Sequence, residues 1–167
     1  MKLLLRILTV DDVAQSYVDW FKIPDVTRFS DNQYHTFNLE TQKKYVMDCI
    51  LNNNVDLYGI FEDKNHIGNI LIKGLNSPHK CAEISYVIGN KDYWNKGVGF
   101  FAISKIINIS RTKYKLNKLF ASVADANIGI RRILEKNGFV IEGTRINHLF
   151  YEGKFCDQID YGLLLSI

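Results

Sequence analysis

The sequence predicts an α+β fold built on a mixed, mostly antiparallel sheet flanked by helices. Three observations predict it. Apolar residues at helical spacing fill the first third of the chain, before most of the strand-like runs. Two β-rich runs, 56–62 and 66–73, are separated only by Asp63-Lys64-Asn65 and read as a hairpin. A strand, a glycine loop, a helix and another strand then follow in order through Gly97 and Gly99, and that connection forces at least one parallel pairing.

Taken in order, residues 1–8 read as a first strand. They are apolar but interrupted by Arg6 and followed by Asp11-Asp12, the wrong length and flanks for a signal peptide. Thr9 is the expected N-cap of a first helix, in which Val10, Val13, Ala14, Tyr17, Val18 and Phe21 recur at helical spacing until Pro24. A short helical piece is expected at 25–29, a polar loop at 30–38, and a helix at 39–52 with Val46, Cys49 and Ile50 on one face.

The hairpin follows, then a strand at 81–89 pairing with its second arm. After the glycine loop, Val98, Phe101, Ala102, Ile106 and Ile109 form one helical stripe, 118–124 is a strand, and a second crossover helix covers 127–137 with Gly138 at C′. The remainder, 139–166, is a long hairpin turning at Glu152-Gly153-Lys154.

Size and composition fit a single domain over 1–167, with 47% hydrophobic and 13% aromatic residues. The 21 Lys and Arg against 18 Asp and Glu leave a net charge of only +3, spread along the chain, which argues against nucleic acid or an anionic membrane as main partner. No apolar run reaches the roughly 20 residues of a spanning helix. Cys49, Cys81 and Cys156 are odd in number and far apart, with no metal-ligand spacing, so a reduced, cytoplasmic protein without a bound metal is expected.

The loop 94–99, Trp-Asn-Lys-Gly-Val-Gly, is the most informative segment. Glycines opening a helix bring backbone N–H groups close to a ligand, and the helix N-terminus favours an anion such as a pyrophosphate. The pattern is neither a P-loop nor the six-residue dinucleotide fingerprint.

This loop resembles the Gln/Arg-x-x-Gly-x-Gly/Ala signature of the GNAT superfamily of acetyl-CoA-dependent N-acetyltransferases, with Trp94 in the Gln/Arg position as in the branch of ribosomal-protein N-terminal acetyltransferases. A second block, 127–139, is similar to that branch's Asn-x-x-Ser-x-x-x-x-Glu-Lys-x-Gly-Phe. The resemblance implies a sheet splayed between strands 4 and 5, with acetyl-CoA as cosubstrate. It puts the pyrophosphate on the loop amides of Asn95, Lys96, Gly97, Val98 and Gly99, the pantetheine arm along the backbone of Val87, Ile88 and Gly89, and further cofactor contacts at Trp94, Asn127 and Lys136. Arg132 is a neutral candidate for the phosphates.

Attack on a thioester needs a neutral amine, and an alkylammonium of pKa near 10 has to lose a proton first. Glu83 lies eleven positions before Trp94 (94 − 83 = 11), the offset of the catalytic glutamate in histone-acetylating members, and is the expected base. Ile130 and Leu134 stand where relatives carry a serine and a tyrosine, so neither can protonate the leaving thiolate; Tyr151, Tyr86 and Ser85 are the remaining hydroxyls considered.

The acceptor is expected between the N-terminal helices and the C-terminal hairpin, with Trp20, Phe29, Tyr34, His35, His148 and Tyr151 as candidates. The stretch 17–29 resembles members of surface-polysaccharide amino-sugar pathways, which implies an amino-sugar nucleotide as the primary amine. A protein N-terminus, a polyamine, or a non-catalytic CoA-binding module are the alternatives, the polyamine lowered by the lack of a marked acidic patch. A homodimer is compatible with this reading.

Overall fold

A computed structural model describes residues 1–165. Seven strands form one sheet in the order β1-β2-β3-β4-β5-β7-β6. These are β1 (Leu3–Ile7), β2 (Val55–Glu62), β3 (Asn65–Lys73), β4 (Cys81–Ile88), β5 (Lys118–Ala124), β6 (Val140–Tyr151) and β7 (Lys154–Leu164). Only β4 and β5 run parallel. Ser166, the end of the expected last strand, lies outside the described residues.

The connection from β4 to β5 is the helix α4 (Val98–Thr112), and α5 (Ile128–Lys136) returns the chain from β5 to β6. Both lie on one face of the sheet. Their apolar stripes, among them Val98, Ala102, Ile103, Ile106 and Leu134, pack on Ile60, Ile70, Ile72, Ile84, Leu119 and Tyr161 in the larger core. A fully buried Ile or Leu of this kind contributes about 2 kcal/mol of transfer free energy.

The helices α1 (Gln15–Trp20), α2 (Pro24–Thr27) and α3 (Leu39–Leu51) precede the hairpin. Leu8, Val13, Tyr17, Trp20, Val46, Leu57 and Phe61 make a second, smaller core there. The face of β5, β7 and β6 that carries Phe120, Ser122 and Asp160 is left to solvent or to shallow cavities.

The single first helix expected from Val10 to Phe21 is broken. A 3-10 turn covers Val10–Asp12, then Val13 (φ −78°, ψ 95°) and Ala14 (φ −103°, ψ 169°) are extended before α1 begins. Asp12 explains the break. Its carboxylate accepts from the Thr9 N–H at 2.8 Å and from both Arg6 guanidinium nitrogens at 2.7 and 2.6 Å, and this local clasp competes with helix continuation. The expected loop 30–38 also holds a 3-10 turn, Asp31–Tyr34, capped by the Ser30 hydroxyl.

His66 sits in the smaller core, stacked on Phe61 at 4.9 Å and edge-on to Trp20 and Tyr17. Its Nε2–H donates to Asn69 Oδ1 at 2.6 Å and to the Gly68 carbonyl at 3.1 Å, while Nδ1 is buried without a partner among the described residues. Burial holds its pKa below the ordinary value, because a proton on Nδ1 has nothing to bond. The unfolded chain therefore takes up a proton before the native one does. Stability is full above the unfolded pKa of about 6.5 and falls as pH drops through it. Thermal melts from pH 7.5 to 5 are expected to show this fall, and His66→Gln to flatten it; an equal slope in both would refute the assignment.

Candidate active site

The site begins where two parallel strands part. β4 pairs with β5 over only Cys81↔Lys118, Ala82↔Leu119 and Glu83↔Phe120, while β5 goes on pairing with β7 as far as Ala124↔Gln158. Residues 84–88 of β4 thus have no strand on that side, and the expected splay between the fourth and fifth strands is present.

Which backbone groups face the opening follows from the antiparallel ladder on the other side of β4. The Gly89 N–H donates to the Ile67 carbonyl at 3.0 Å. In the continuous β3–β4 register, Gly68↔Ile88 through Lys73↔Glu83, alternate residues turn both backbone groups to the partner strand. Gly89, Val87 and Ser85 therefore face β3, and Ile88, Tyr86 and Ile84 face the wedge. Of the three residues expected to line the arm with their backbone, Val87 and Gly89 turn those groups to β3, and Ile88 turns them to the wedge. Gly89 has another duty: Trp20 packs flat on it, so closely that a Cβ there would lie 1.8 Å from the indole.

The loop after β4 is tied down at several points. Asn90 caps a 3-10 turn, Lys91–Tyr93. The Tyr93 hydroxyl donates to Glu62 at 2.6 Å, Lys91 pairs with Asp25, and Trp94 Nε1–H donates to the Ile88 carbonyl at 2.8 Å. Trp94 thus fastens the loop to the mouth of the wedge. Asn95 (φ 58°) and Gly97 (φ 80°) then take left-handed backbone, and Gly97 caps α4 with open space where a side chain would stand. The first helical hydrogen bond is Phe101 N–H to Gly97 O at 2.9 Å, so the amides of Val98, Gly99 and Phe100 have no intrahelical partner. Lys96 is exposed beside them.

The two glycines therefore do different things. Gly97 supplies the turn. Gly99 is buried, and a Cβ on it would come within 3.0 Å of Ile133 Cδ1 and 3.1 Å of the Tyr86 hydroxyl, so its bare backbone serves close packing.

Glu83 lies on the last paired rung of β4 and β5, at the vertex of the wedge. Alternation turns it away from the face that buries Ala82 and Ile84 under α4. It is half-buried, and no ion pair or side-chain hydrogen bond reaches its carboxylate among the described residues. A cavity of about 250 Å³ adjoins this rung, lined by Cys81, Phe120, Ser122, Arg145 and Asp160 among others.

The second block is divided. Asn127 Oδ1 accepts from the Ile130 N–H at 3.4 Å and caps α5, leaving only its NH2 group for a ligand. Lys136 is carried to the other end of α5, nine residues or about 13 Å along the helix from Asn127. It stands about one turn past Ile133, the α5 residue that packs against Gly99 of the glycine loop. Leu134 is fully buried in the core and Ile130 is partly buried beside it.

Of the acceptor candidates, Phe29, Tyr34 and Tyr151 gather at the tip of the β6–β7 hairpin. Phe29 stands edge-on to Tyr151 at 6.5 Å, the Tyr34 hydroxyl donates to the Phe150 carbonyl at 2.7 Å, and the Tyr151 hydroxyl donates to Asp31 at 2.9 Å. Trp20 is turned into the smaller core and offers no open surface. His148 is exposed in the irregular stretch of β6 between Arg145 and Leu149, and His35 is exposed beside Phe37. Neither joins the aromatic group.

Sequence reasoning missed the charges that close this region. Arg28 grips Glu152 through two hydrogen bonds of 2.7 and 2.9 Å, and these two residues line a cavity of about 610 Å³ with Phe21, Asp25, Thr27 and Gln33. Arg28 holds the Glu152 carboxyl below the usual carboxylate range, as Lys91 does that of Asp25. Their separation of 124 residues left no local pattern to read. No cluster of His, Cys, Asp and Glu able to hold a metal is found among the described residues, and no helix among them is long and apolar enough to cross a membrane.

A family model described as an acetyltransferase (GNAT) domain matches residues 2–140. The provisionally named ribosomal N-acetyltransferase YdaF of Bacillus subtilis is 30% identical over 106 residues, 64% of this chain and 57% of that protein, so the match spans little more than half of that relative. The spermidine N(1)-acetyltransferase of Vibrio cholerae is 28% identical over 142 residues, covering 83% of this chain and 73% of that one. Among solved structures, the spermidine N-acetyltransferase of Vibrio cholerae in complex with CoA and spermine superposes with a TM-score of 0.86 at 22% identity, over 98% of this chain and 96% of that one. At that identity the likeness establishes the fold.

Proposed function

The chain belongs to the GNAT acetyltransferase family, and from that premise we propose that it transfers acetyl from acetyl-CoA directly to a primary amine of a small polyamine. The observation that carries the chemistry is Glu83, an unneutralised carboxylate at the vertex of a wedge whose open edge presents the backbone of Ile84, Tyr86 and Ile88. These residues suit the cosubstrate. The outward N–H groups can pair with its amides, and the partnerless amides at the start of α4 can hold its diphosphate.

Bound acetyl-CoA supplies the acetyl group as an activated thioester. Glu83 accepts the proton that the alkylammonium has to lose, directly or through one water. The Ile88 N–H, pointing into the wedge, is the donor for the oxygen on which negative charge develops. None of the three cysteines lies in the loop or at the start of α5, so direct transfer is the economical route.

The polyamine reading replaces the amino-sugar one. The relatives whose printed names state a small-molecule acceptor are spermidine acetyltransferases, and none names an amino sugar. On the acceptor side Asp31 supports it: its only side-chain partner among the described residues is the neutral Tyr151 hydroxyl, which leaves a carboxylate for a second ammonium. Thiol release from acetyl-CoA is expected to be fastest with spermidine or spermine in a panel that includes amino-sugar nucleotides and peptide N-termini. A faster rate with a sugar nucleotide would overturn the reading, and CoA binding without turnover of any amine would favour a non-catalytic module.

A further inference from the structure

We propose that Glu152 is an acceptor-binding residue held at rest by Arg28: an ammonium of the polyamine, other than the one that is acetylated, displaces the Arg28 guanidinium from the Glu152 carboxylate. The inference rests on the polyamine reading of the acceptor and adds to it where a second charge of that acceptor goes.

The cavity of about 610 Å³ lies between the N-terminal helices and the tip of the β6–β7 hairpin, lined by Phe21, Pro24, Asp25, Thr27, Arg28 and Glu152 among others. It adjoins the end of β4, because Trp20, one residue before Phe21, packs on Gly89, and Asp25 pairs with Lys91 of the turn that follows. Thr27 is only 4% exposed, and its hydroxyl reaches the Ile23 and Pro24 carbonyls at 3.5 Å each, longer than such a bond ordinarily is. A buried hydroxyl so poorly partnered, on the wall of a cavity, is completed by a polar group inside it.

Both carboxylates on the wall are neutralised by cations of the chain itself, Glu152 by Arg28 and Asp25 by Lys91. The two ends of the first pair differ. Glu152 is fixed: it opens the tight turn between β6 and β7 at φ 55°, followed by Gly153 at φ 75°. Asparagine and glycine are the ordinary residues for such a left-handed pair, and a glutamate there carries backbone strain of the kind that collects at functional positions. Arg28 is the mobile end. Its guanidinium hangs on a long side chain and also stands over the Phe29 ring at 4.9 Å, which gives it a second resting place. The exchangeable member is therefore the cation. With its two side chains 50% and 39% exposed the pair is weak, so an ammonium of the acceptor replaces the guanidinium at little cost. A diamine or triamine is the ligand this exchange selects, because a monoamine has no second charge to offer.

Calorimetric titration of spermidine into the CoA-loaded protein tests the exchange. Glu152→Gln is expected to weaken spermidine binding about fivefold, as for loss of one exposed ion pair, and Arg28→Gln to strengthen it by about the same factor, because the carboxylate is then unoccupied. In steady-state thiol release the same opposite shifts should fall on KM rather than on kcat. Butylamine, with no second charge, should bind all three proteins alike. Unchanged spermidine affinity in Glu152→Gln overturns the proposal. Weaker binding in both variants also overturns it, since the pair would then only tie the end of α2 to the hairpin, and so does an equal shift for butylamine, which would put Glu152 at the reacting amine. Wild-type protein that binds CoA but acetylates no polyamine would remove the polyamine reading and this proposal with it, whereas failure of Glu152 alone leaves that reading standing.

Discussion

Glu83→Gln is expected to lower turnover by about 10²- to 10⁴-fold, the usual range for loss of a positioned general base. The substitution keeps shape and hydrogen-bonding capacity but cannot accept a proton at neutral pH. An alkylammonium with a pKa of about 10.4 is neutral in only about four molecules in ten thousand at pH 7. Without the carboxylate the reaction depends on that fraction in solution, so the pH profile of the variant shifts upward and keeps rising as the amine deprotonates. CoA affinity should be nearly unchanged, because Glu83 points away from the face that holds α4 and α5. Stability should change little as well, since no ion pair or side-chain hydrogen bond is lost with it. Retained turnover with an unaltered pH profile would sink the base assignment.

Ile88→Pro should cost as much activity for a different reason. Its N–H points into the wedge and takes no part in the β3–β4 ladder, so proline removes a donor to the developing oxyanion without breaking a strand bond. A loss of about 10²-fold or more in turnover is expected from a protein that still folds and melts cooperatively. Val87→Pro is the contrasting control. There the N–H faces β3, and proline breaks the ladder beside Asn69, so a substantial loss of stability is expected. If Val87→Pro were tolerated and Ile88→Pro unfolded the protein, the alternation assigned to β4 would be reversed.

These two tests mark where the sequence was legible and where it was not. β5 and α3 end within a residue of their expected bounds, because strong periodicity and an Asn38 cap define them locally. The first helix broke because the Asp12 clasp draws on Arg6, a residue of the preceding strand, and helical spacing alone does not register that competition. Within β4 the motif correctly located the edge, but which residues turn their backbone toward it depends on the register with β3. That register is a property of the pair of strands, so nothing local signals that the backbone groups of Val87 and Gly89 face β3.

The same reasoning separates Gly97 from Gly99. Two glycines in one signature look alike in sequence, yet only the first needs a positive φ, while the second makes room for Tyr86 and Ile133. Trp20 fits a flat acceptor surface by residue type and is instead a lid on Gly89, since the nearest apolar cover for that backbone is supplied by α1. Lys136 matched a motif position and is exposed at the last residue of α5, the end opposite Asn127. The contacts at the acceptor side, Arg28 with Glu152 and Asp31 with Tyr151, join segments more than a hundred residues apart, and composition carries no trace of them.

In the proposed reaction the wedge between β4 and β5 carries acetyl from acetyl-CoA to a polyamine with Glu83 as base. Mass spectrometry of spermidine incubated with acetyl-CoA and either the wild-type protein or Glu83→Gln tests it most directly. Monoacetylated spermidine in step with thiol release is expected for the wild type, and at most a trace with the variant at pH 7. Wild-type protein that binds CoA but leaves spermidine unmodified would exclude spermidine as acceptor, and a variant that acetylates it at the wild-type rate would exclude Glu83 as base.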